Sequence, residues 1–267
     1  MSGRLSGGGG FITYSAAMLI LIFVVAPLVV IVALSFSELT FATFPPKGFT
    51  FAWYEKVLLD QEFRRSFAVS TFIALGATIV ALVLGLPAAY ALDRWEVPGA
   101  STVRTLLLSP MIIPILITGL ALLKLFSDAK MRSAGTNLLI GHVLITLPYL
   151  VRTITVSLKL VDRTLEEAAM TLGASPFRAF LKVTTPQIVP GIAAGCLFAF
   201  MISFDDYPIS MWLGDAEFVP LPVYLHDSLN KIFDPSIAAM SSLMILTGVL
   251  AVVGLEKIVG LRRAMGV

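Results

Sequence analysis

The chain has 267 residues, of which 57% are hydrophobic and 13% are charged, and its mean hydropathy is +0.91. Soluble domains carry about 25% charged residues, so this composition indicates a lipid bilayer rather than water as the surrounding medium. The formal net charge of +2 is close to neutral and argues against nucleic acid as a partner, because phosphate binding needs a concentrated basic surface. A single cysteine, Cys196, excludes an internal disulfide, and no Cys/His cluster suggests a metal site.

Six apolar stretches are long enough to cross a bilayer, which takes roughly 20 residues in a helix. Helices are required because lipid cannot satisfy exposed backbone groups, and the alternating pattern of a barrel strand is absent. We therefore predict an all-α integral membrane protein with six transmembrane helices. The predicted spans lie near residues 11–36, 66–92, 105–126, 133–156, 187–213 and 236–258.

The first apolar run is too long for the core of a signal peptide, so it is interpreted as a retained span. The transmembrane domain is thus expected over residues 11–260, between a flexible tail at 1–10 and a second tail at 261–267. The distribution of Lys and Arg weakly favours cytoplasmic termini, although Arg64 and Arg65 count against that orientation.

The longest polar connection, residues 160–186, contains two short helical patterns. Thr164 is a candidate cap for the first helix, and Gly173 is placed to end it. Ser175 is a candidate cap for the second helix, with Pro176 at its first position. Because so short a hairpin would be marginal in isolation, we expect it to dock on a partner.

Within this segment, Glu167-Ala168-Ala169 is followed after three residues by Gly173, and after nine more by Val183 and Pro186. This spacing resembles the EAA loop of binding-protein-dependent ABC importer permeases, EAA-x3-G-x9-I-x-L-P, with Val183 and Thr185 replacing Ile and Leu. The resemblance implies a cytoplasmic loop that docks on a nucleotide-binding subunit, with both termini cytoplasmic. The residues it assigns to this contact are Glu166, Glu167, Ala168, Ala169, Gly173, Ala174, Ser175, Pro176 and Phe177.

The family resemblance also implies an importer-permease (MetI-like) core in a bacterial inner membrane. No GxxxxGK[ST] phosphate loop is present in the chain. We therefore expect neither enzymatic activity nor a bound cofactor in this chain, with ATP and Mg²⁺ held by a partner. The implied partners are a dimer of nucleotide-binding subunits, a second, homologous permease and an extracytoplasmic solute-binding protein.

Two adjacent acids, Asp205 and Asp206, follow the fifth apolar run. Acids at membrane depth are costly and usually face a cavity or a partner; alternatively, the span ends near Phe204 and the acids cap a loop. The sequence here resembles the polyamine (spermidine/putrescine) branch of the permeases, in which the corresponding acid contacts the amine. Tyr207 and Trp212 are candidates for cation–π contacts with such a substrate.

Other interpretations stay open at this point. Related permeases carry thiamine, an aminophosphonate or ferric iron, and the acidic pair does not separate these solutes. An ion-coupled secondary transporter would be longer, with paired repeats. An intramembrane protease would draw its two acids from different helices, which adjacent residues do not provide. His142, inside the fourth span, is interpreted as a hydrogen-bonded core histidine in preference to a proton relay.

Overall fold

The structure, a computed structural model, describes residues 8–41, 43–95, 98–231 and 234–259. Most of the two predicted tails, residues 1–7 and 261–267, lies outside these ranges. Regular structure in the described part is helical throughout. The α-helices are α1 (Gly8–Leu34), α2 (Ala52–Leu59), α3 (Gln61–Arg94), α4 (Ala100–Leu108), α5 (Ile115–Asp128), α6 (Ala134–Leu160), α7 (Arg163–Thr171), α8 (Pro176–Ala179), α9 (Thr185–Phe204), α10 (Pro208–Leu213), α11 (Leu221–Leu229) and α12 (Ser236–Val259).

Five helices among the described residues are long and apolar enough to cross a membrane, and a bent pair makes a sixth crossing if it counts as one span. The all-α prediction is therefore confirmed, and the number of candidate crossings agrees with it on that count. The bent pair joins Ala100–Met111 to Ile115–Asp128 at an angle of 102°. Pro110 and Pro114 flank this break, and each removes a backbone donor and disfavours a continuous helix.

The structure divides into two units, and the larger one contains the described residues of 61–226 and those from 247 onward. In its core, α3, α6 and α9 pack against one another. Small side chains on α3, such as Ala81 and Ala89, are fully buried against Leu150 and Ile154 of α6. Small residues allow membrane helices to approach closely and gain dispersion contacts.

A second cluster in the larger unit joins α5, α6 and α10 around Leu122, Leu138 and Ile209. Gly141 makes this packing possible, because a Cβ placed there would come within 2.6 Å of a methyl carbon of Leu213. Helix α10 is therefore held between α5 and α6 although it has only six residues. This contact fixes the chain directly after α9, the helix of the fifth span, which ends at Phe204 and not at residue 213.

The smaller unit contains the described residues of 1–60 and 227–246. An aromatic cluster surrounds Phe36, whose ring stacks on Phe49 at 4.9 Å between centroids. The indole N–H of Trp53 donates to the Ser37 carbonyl oxygen at 2.7 Å. Lys56 Nζ forms an ion pair with Asp234 Oδ2 at 2.6 Å.

Candidate functional site

The first arm of the polar hairpin is helix α7, and its N-terminal cap is Asp162. The Asp162 carboxylate accepts a hydrogen bond from the Thr164 backbone N–H at 2.9 Å. The prediction that Thr164 is the cap is therefore wrong by two residues; the carboxylate of Asp162 satisfies this free donor instead. Hydrogen bonds from the Thr164 backbone and side chain lower the pKa of Asp162 below its ordinary value.

The turn of the hairpin is a Schellman motif at Gly173, which has φ +93°. The Gly173 N–H donates to the Met170 carbonyl and the Ala174 N–H to the Ala169 carbonyl, each at 3.0 Å. Only glycine adopts such a positive φ at little cost. The sequence-based prediction that Gly173 ends the first helix is confirmed.

The second arm begins as predicted, with Ser175 as the cap and Pro176 at the first helical position. It does not end before the fifth span, however, and the helical chain runs from Pro176 to Phe204. A π-helical turn, Phe180–Thr184, lies within it. Because Pro186 removes one backbone donor, a wider turn just before it keeps the helix continuous. The hairpin is thus joined directly to the fifth span.

The tip of the hairpin is apolar and exposed. Leu172 is 90% exposed and Phe177 is 68% exposed. Glu167, Ala168, Ser175 and Pro176 are also exposed, whereas Ala169 and Ala174 are half-buried. Eight of the nine predicted contact residues therefore lie at or near an accessible surface.

Glu166 differs from the other predicted contact residues because it points inward and is only 6% exposed. Its carboxylate accepts a hydrogen bond from the Tyr90 hydroxyl. Its Oε2 atom lies 3.3 Å from Arg94 Nε, an ion pair without hydrogen-bond alignment. Sequence reasoning missed Tyr90 and Arg94 because more than 70 residues separate them from the hairpin.

The acidic pair is divided between two roles. Helix α9 ends at Phe204, and Asp205 is its exposed C-terminal cap residue. Asp206 is 5% exposed, and its Oδ2 atom accepts hydrogen bonds from the backbone N–H groups of Ile209 at 2.9 Å and Ser210 at 3.0 Å. Asp206 therefore caps the free donors of α10 from the position before the N-cap residue, Tyr207, while Asp205 is accessible.

A buried polar network connects the helix break between α9 and α10 to α6, the fourth span. His142 is 1% exposed, with Nδ1 2.7 Å from Ser203 Oγ and Nε2 3.2 Å from Ser210 Oγ. Both ring nitrogens have partners, as expected for a hydrogen-bonded core histidine. The two serines carry no motif that would have identified them from the sequence.

The two predicted aromatic residues take different positions. The Tyr207 hydroxyl lies 3.3 Å from His226 Nδ1, and the two rings are 4.7 Å apart. Trp212 is half-buried beside Gly119 of α5. Its indole nitrogen is buried and has no hydrogen-bond partner among the described residues. Tyr207 thus flanks the break directly, whereas Trp212 belongs to the packing of α10.

The described residues thus form helices of membrane-spanning length, a hairpin continuous with one of them, and a helix break beside an accessible acid. Residues 81–264 match the family described as the binding-protein-dependent transport system inner membrane component. This match covers more than half of the chain, and the chain belongs to that family. It is therefore a multi-pass component of a transport system of the inner membrane.

Two curated relatives extend this assignment over most of the chain. The putrescine transport system permease protein PotI of Escherichia coli (strain K12) is 32% identical over 230 residues, covering 84% of this chain and 82% of PotI. The spermidine/putrescine transport system permease protein PotC of the same strain is 28% identical over 253 residues, covering 95% and 93%.

Solved structures support the fold. A bacterial ABC transporter involved in the import of the acidic polysaccharide alginate contains a chain that matches with a TM-score of 0.68 at 20% identity, over 97% of this chain and 99% of its own length. The inward-facing MetNI methionine ABC transporter gives a TM-score of 0.59 at 16% identity, over 77% and 99%. The predicted importer-permease (MetI-like) core is confirmed.

Proposed function

We propose that this chain forms half of the translocation pathway of an ATP-driven importer and that its solute is a polyamine, putrescine or spermidine. The observation that carries the solute is the 32% identity to a putrescine permease over 84% of the chain. The exposed carboxylate of Asp205 at the break after the fifth span adds a chemical reason, because a polyamine is a cation.

The hairpin makes the contact with the subunit that hydrolyses ATP. Leu172 and Phe177 are large apolar side chains held at its tip in an exposed position. Burying such groups in a groove is favourable by about 2 kcal/mol each. A separate nucleotide-binding subunit, present as a dimer and holding ATP and Mg²⁺, provides that groove. The hairpin and both chain termini are then cytoplasmic, with Glu167, Ala168 and Ala169 beside the groove.

The helix break supplies the contact with the solute. Asp205 attracts the amine, and the ring of Tyr207 offers a cation–π contact. Asp206 orients α10 through its two backbone hydrogen bonds, and Trp212 holds α10 against α5. In this proposal, the first two residues touch the solute and the other two position them.

The transport cycle follows from these two contacts. A solute-binding protein outside the membrane delivers the polyamine, and a second, homologous permease completes the pathway. When ATP closes the nucleotide-binding dimer, the hairpin moves with it. The motion enters the bundle through α9, because the second arm of the hairpin is continuous with that span.

The test is uptake of labelled putrescine and spermidine by the complete transporter in proteoliposomes, with ATP on the hairpin side. Wild type is expected to accumulate a polyamine, and Asp205→Asn to raise the concentration of half-maximal uptake. Glu217→Gln is the matched control, because Glu217 is an exposed acid in the loop beyond α10. Uptake of thiamine, an aminophosphonate or ferric iron without polyamine uptake would refute the proposed solute.

A further inference from the structure

Helix α7 carries its charged residues on two different faces. Arg163 and Glu166 are three residues apart, so they share a face of the helix, and that face meets the last turn of α3. Glu167 and Leu172 are exposed. One face of the first arm is therefore already occupied by the permease itself.

Ion pairs and hydrogen bonds of charged side chains hold this face of α7 against the end of α3. Glu166 and Arg94, which form the ion pair, have side chains that are only 8% and 7% exposed. Arg94 Nη1 lies 3.3 Å from Asp93 Oδ2, and Arg94 Nη2 donates to the Val161 carbonyl at 3.5 Å. Arg163 donates to the Asp93 backbone carbonyl. The end of α3 is thus attached to α7 at two points.

Tyr90 connects the second arm to the same place. Its hydroxyl donates to Glu166 on the first arm. Its ring packs against Phe180 on the second arm, with centroids 4.6 Å apart. A single residue of α3 therefore touches both arms of the hairpin.

We infer that Glu166 is a positioning residue: its carboxylate fixes the hairpin to the C-terminal end of α3 and makes no contact with the nucleotide-binding subunit. This inference rests on the proposed coupling role of the hairpin. A displacement of the hairpin then reaches two spans at once: α9 through the continuous helix and α3 through Glu166.

The ionic character of the link matters for this role. Desolvating a carboxylate and a guanidinium is costly, and apolar side chains of the same size would hold two helices together at least as firmly. Each member of this ion pair also has a directional hydrogen bond of its own, from the Tyr90 hydroxyl to Glu166 and from Arg94 to the Val161 carbonyl, and these bonds fix the orientation of the two side chains. Loss of the Glu166 charge leaves Arg94 paired only with Asp93, which belongs to α3 itself. The ionic link to the hairpin then fails even when the hairpin still forms.

The experiment compares Glu166→Gln with Glu167→Gln in the complete purified transporter. Glutamine keeps the size of the side chain and can still accept from Tyr90, but it removes the charge opposite Arg94. Three quantities are measured: the amount of nucleotide-binding subunit retained, the rate of ATP hydrolysis, and the solute transported per ATP. Glu166→Gln is expected to retain the subunit and to lower transport per ATP about tenfold, within the usual range of coupling between sites.

Glu167→Gln is expected to retain less nucleotide-binding subunit and to keep the solute transported per ATP. The reason is that Glu167 is on the exposed docking face, so its loss weakens binding of the subunit. If Glu167→Gln leaves that binding unchanged, the docking proposal fails, whereas the inference about Glu166 is judged by transport per ATP. Loss of subunit binding in Glu166→Gln, or unchanged transport per ATP, would overturn the inference.

A second pair of variants separates charge from packing. Arg94→Lys keeps the positive charge beside Glu166, whereas Arg94→Gln removes it. We expect Arg94→Lys to retain more transport per ATP than Arg94→Gln at equal amounts of assembled complex. Equal loss in both variants would mean that the guanidinium shape alone matters, and the ionic link would be refuted. This pair also decides the question if Glu166→Gln does not accumulate in the membrane.

Discussion

Replacing Leu172 by alanine tests the exposed tip of the hairpin. The side chain is 90% exposed in the isolated chain, so almost all of its transfer free energy is available when a partner covers it. The substitution removes three carbon atoms, at about 0.8 kcal/mol for each buried methylene. Binding of the nucleotide-binding subunit should therefore weaken by about 2 kcal/mol, which is roughly 30-fold in the dissociation constant.

The assay is a titration of the nucleotide-binding subunit onto the permease pair in lipid nanodiscs. Leu160→Ala is the matched control, because Leu160 is a leucine of similar exposure, 84%, at the last residue of α6, before the two helices of the hairpin begin. We expect Leu160→Ala to bind like wild type, and neither variant to change the stability of the fold by more than about 0.5 kcal/mol. An unchanged dissociation constant for Leu172→Ala, or an equal loss in the control, would refute the docking of the tip.

Three further predictions concern stability. Gly173→Ala should lower the free energy of unfolding by about 1–2 kcal/mol. The cost comes from backbone strain alone, because a Cβ at this position meets no atom within 4 Å. Thermal unfolding measures it, and an unchanged midpoint would contradict the strain. Asp206→Ala should destabilise by about 1 kcal/mol through loss of the α10 cap, and Asp206→Asn by less; equal effects would contradict the capping role. Burial raises the pKa of Asp234, but hydrogen bonds from Lys56 and Ser236 outweigh it and hold that pKa below its ordinary value. The resulting stabilisation should be fully present above about pH 5 and should be lost progressively as the pH falls below about 4 and through the lowered pKa of Asp234. Asp234→Asn should remove this part of the pH dependence.

The all-helical, membrane-spanning character of the chain could be predicted from the sequence because it is set by local composition. A run of about 20 apolar residues has one low-energy arrangement in lipid. The hairpin turn was equally local, since Gly173 and Ser175 act on backbone groups within four residues of themselves. The 102° bend inside the third predicted span was not predicted, because Pro110 and Pro114 are compatible with both a kinked span and a broken one.

The site was predictable only in part, since tertiary contacts decide which charged groups face outward. Glu166 and Glu167 are adjacent acids of one helix, yet the first is buried against α3 and the second is exposed. Asp205 and Asp206 divide in the same way, because the backbone donors of α10 capture only Asp206. In both pairs, the groups that bury one acid lie outside the short sequence segment that made the acids candidate site residues.

Photocrosslinking tests most directly whether the hairpin contacts the nucleotide-binding subunit. A photoreactive amino acid is placed at Phe177 in one variant and at Phe49 in another; both side chains are exposed, by 68% and 62%. In the assembled transporter, position 177 should give a covalent adduct with the nucleotide-binding subunit and position 49 should give none. An adduct from position 49, or none from position 177 in a complex that hydrolyses ATP, would contradict the account.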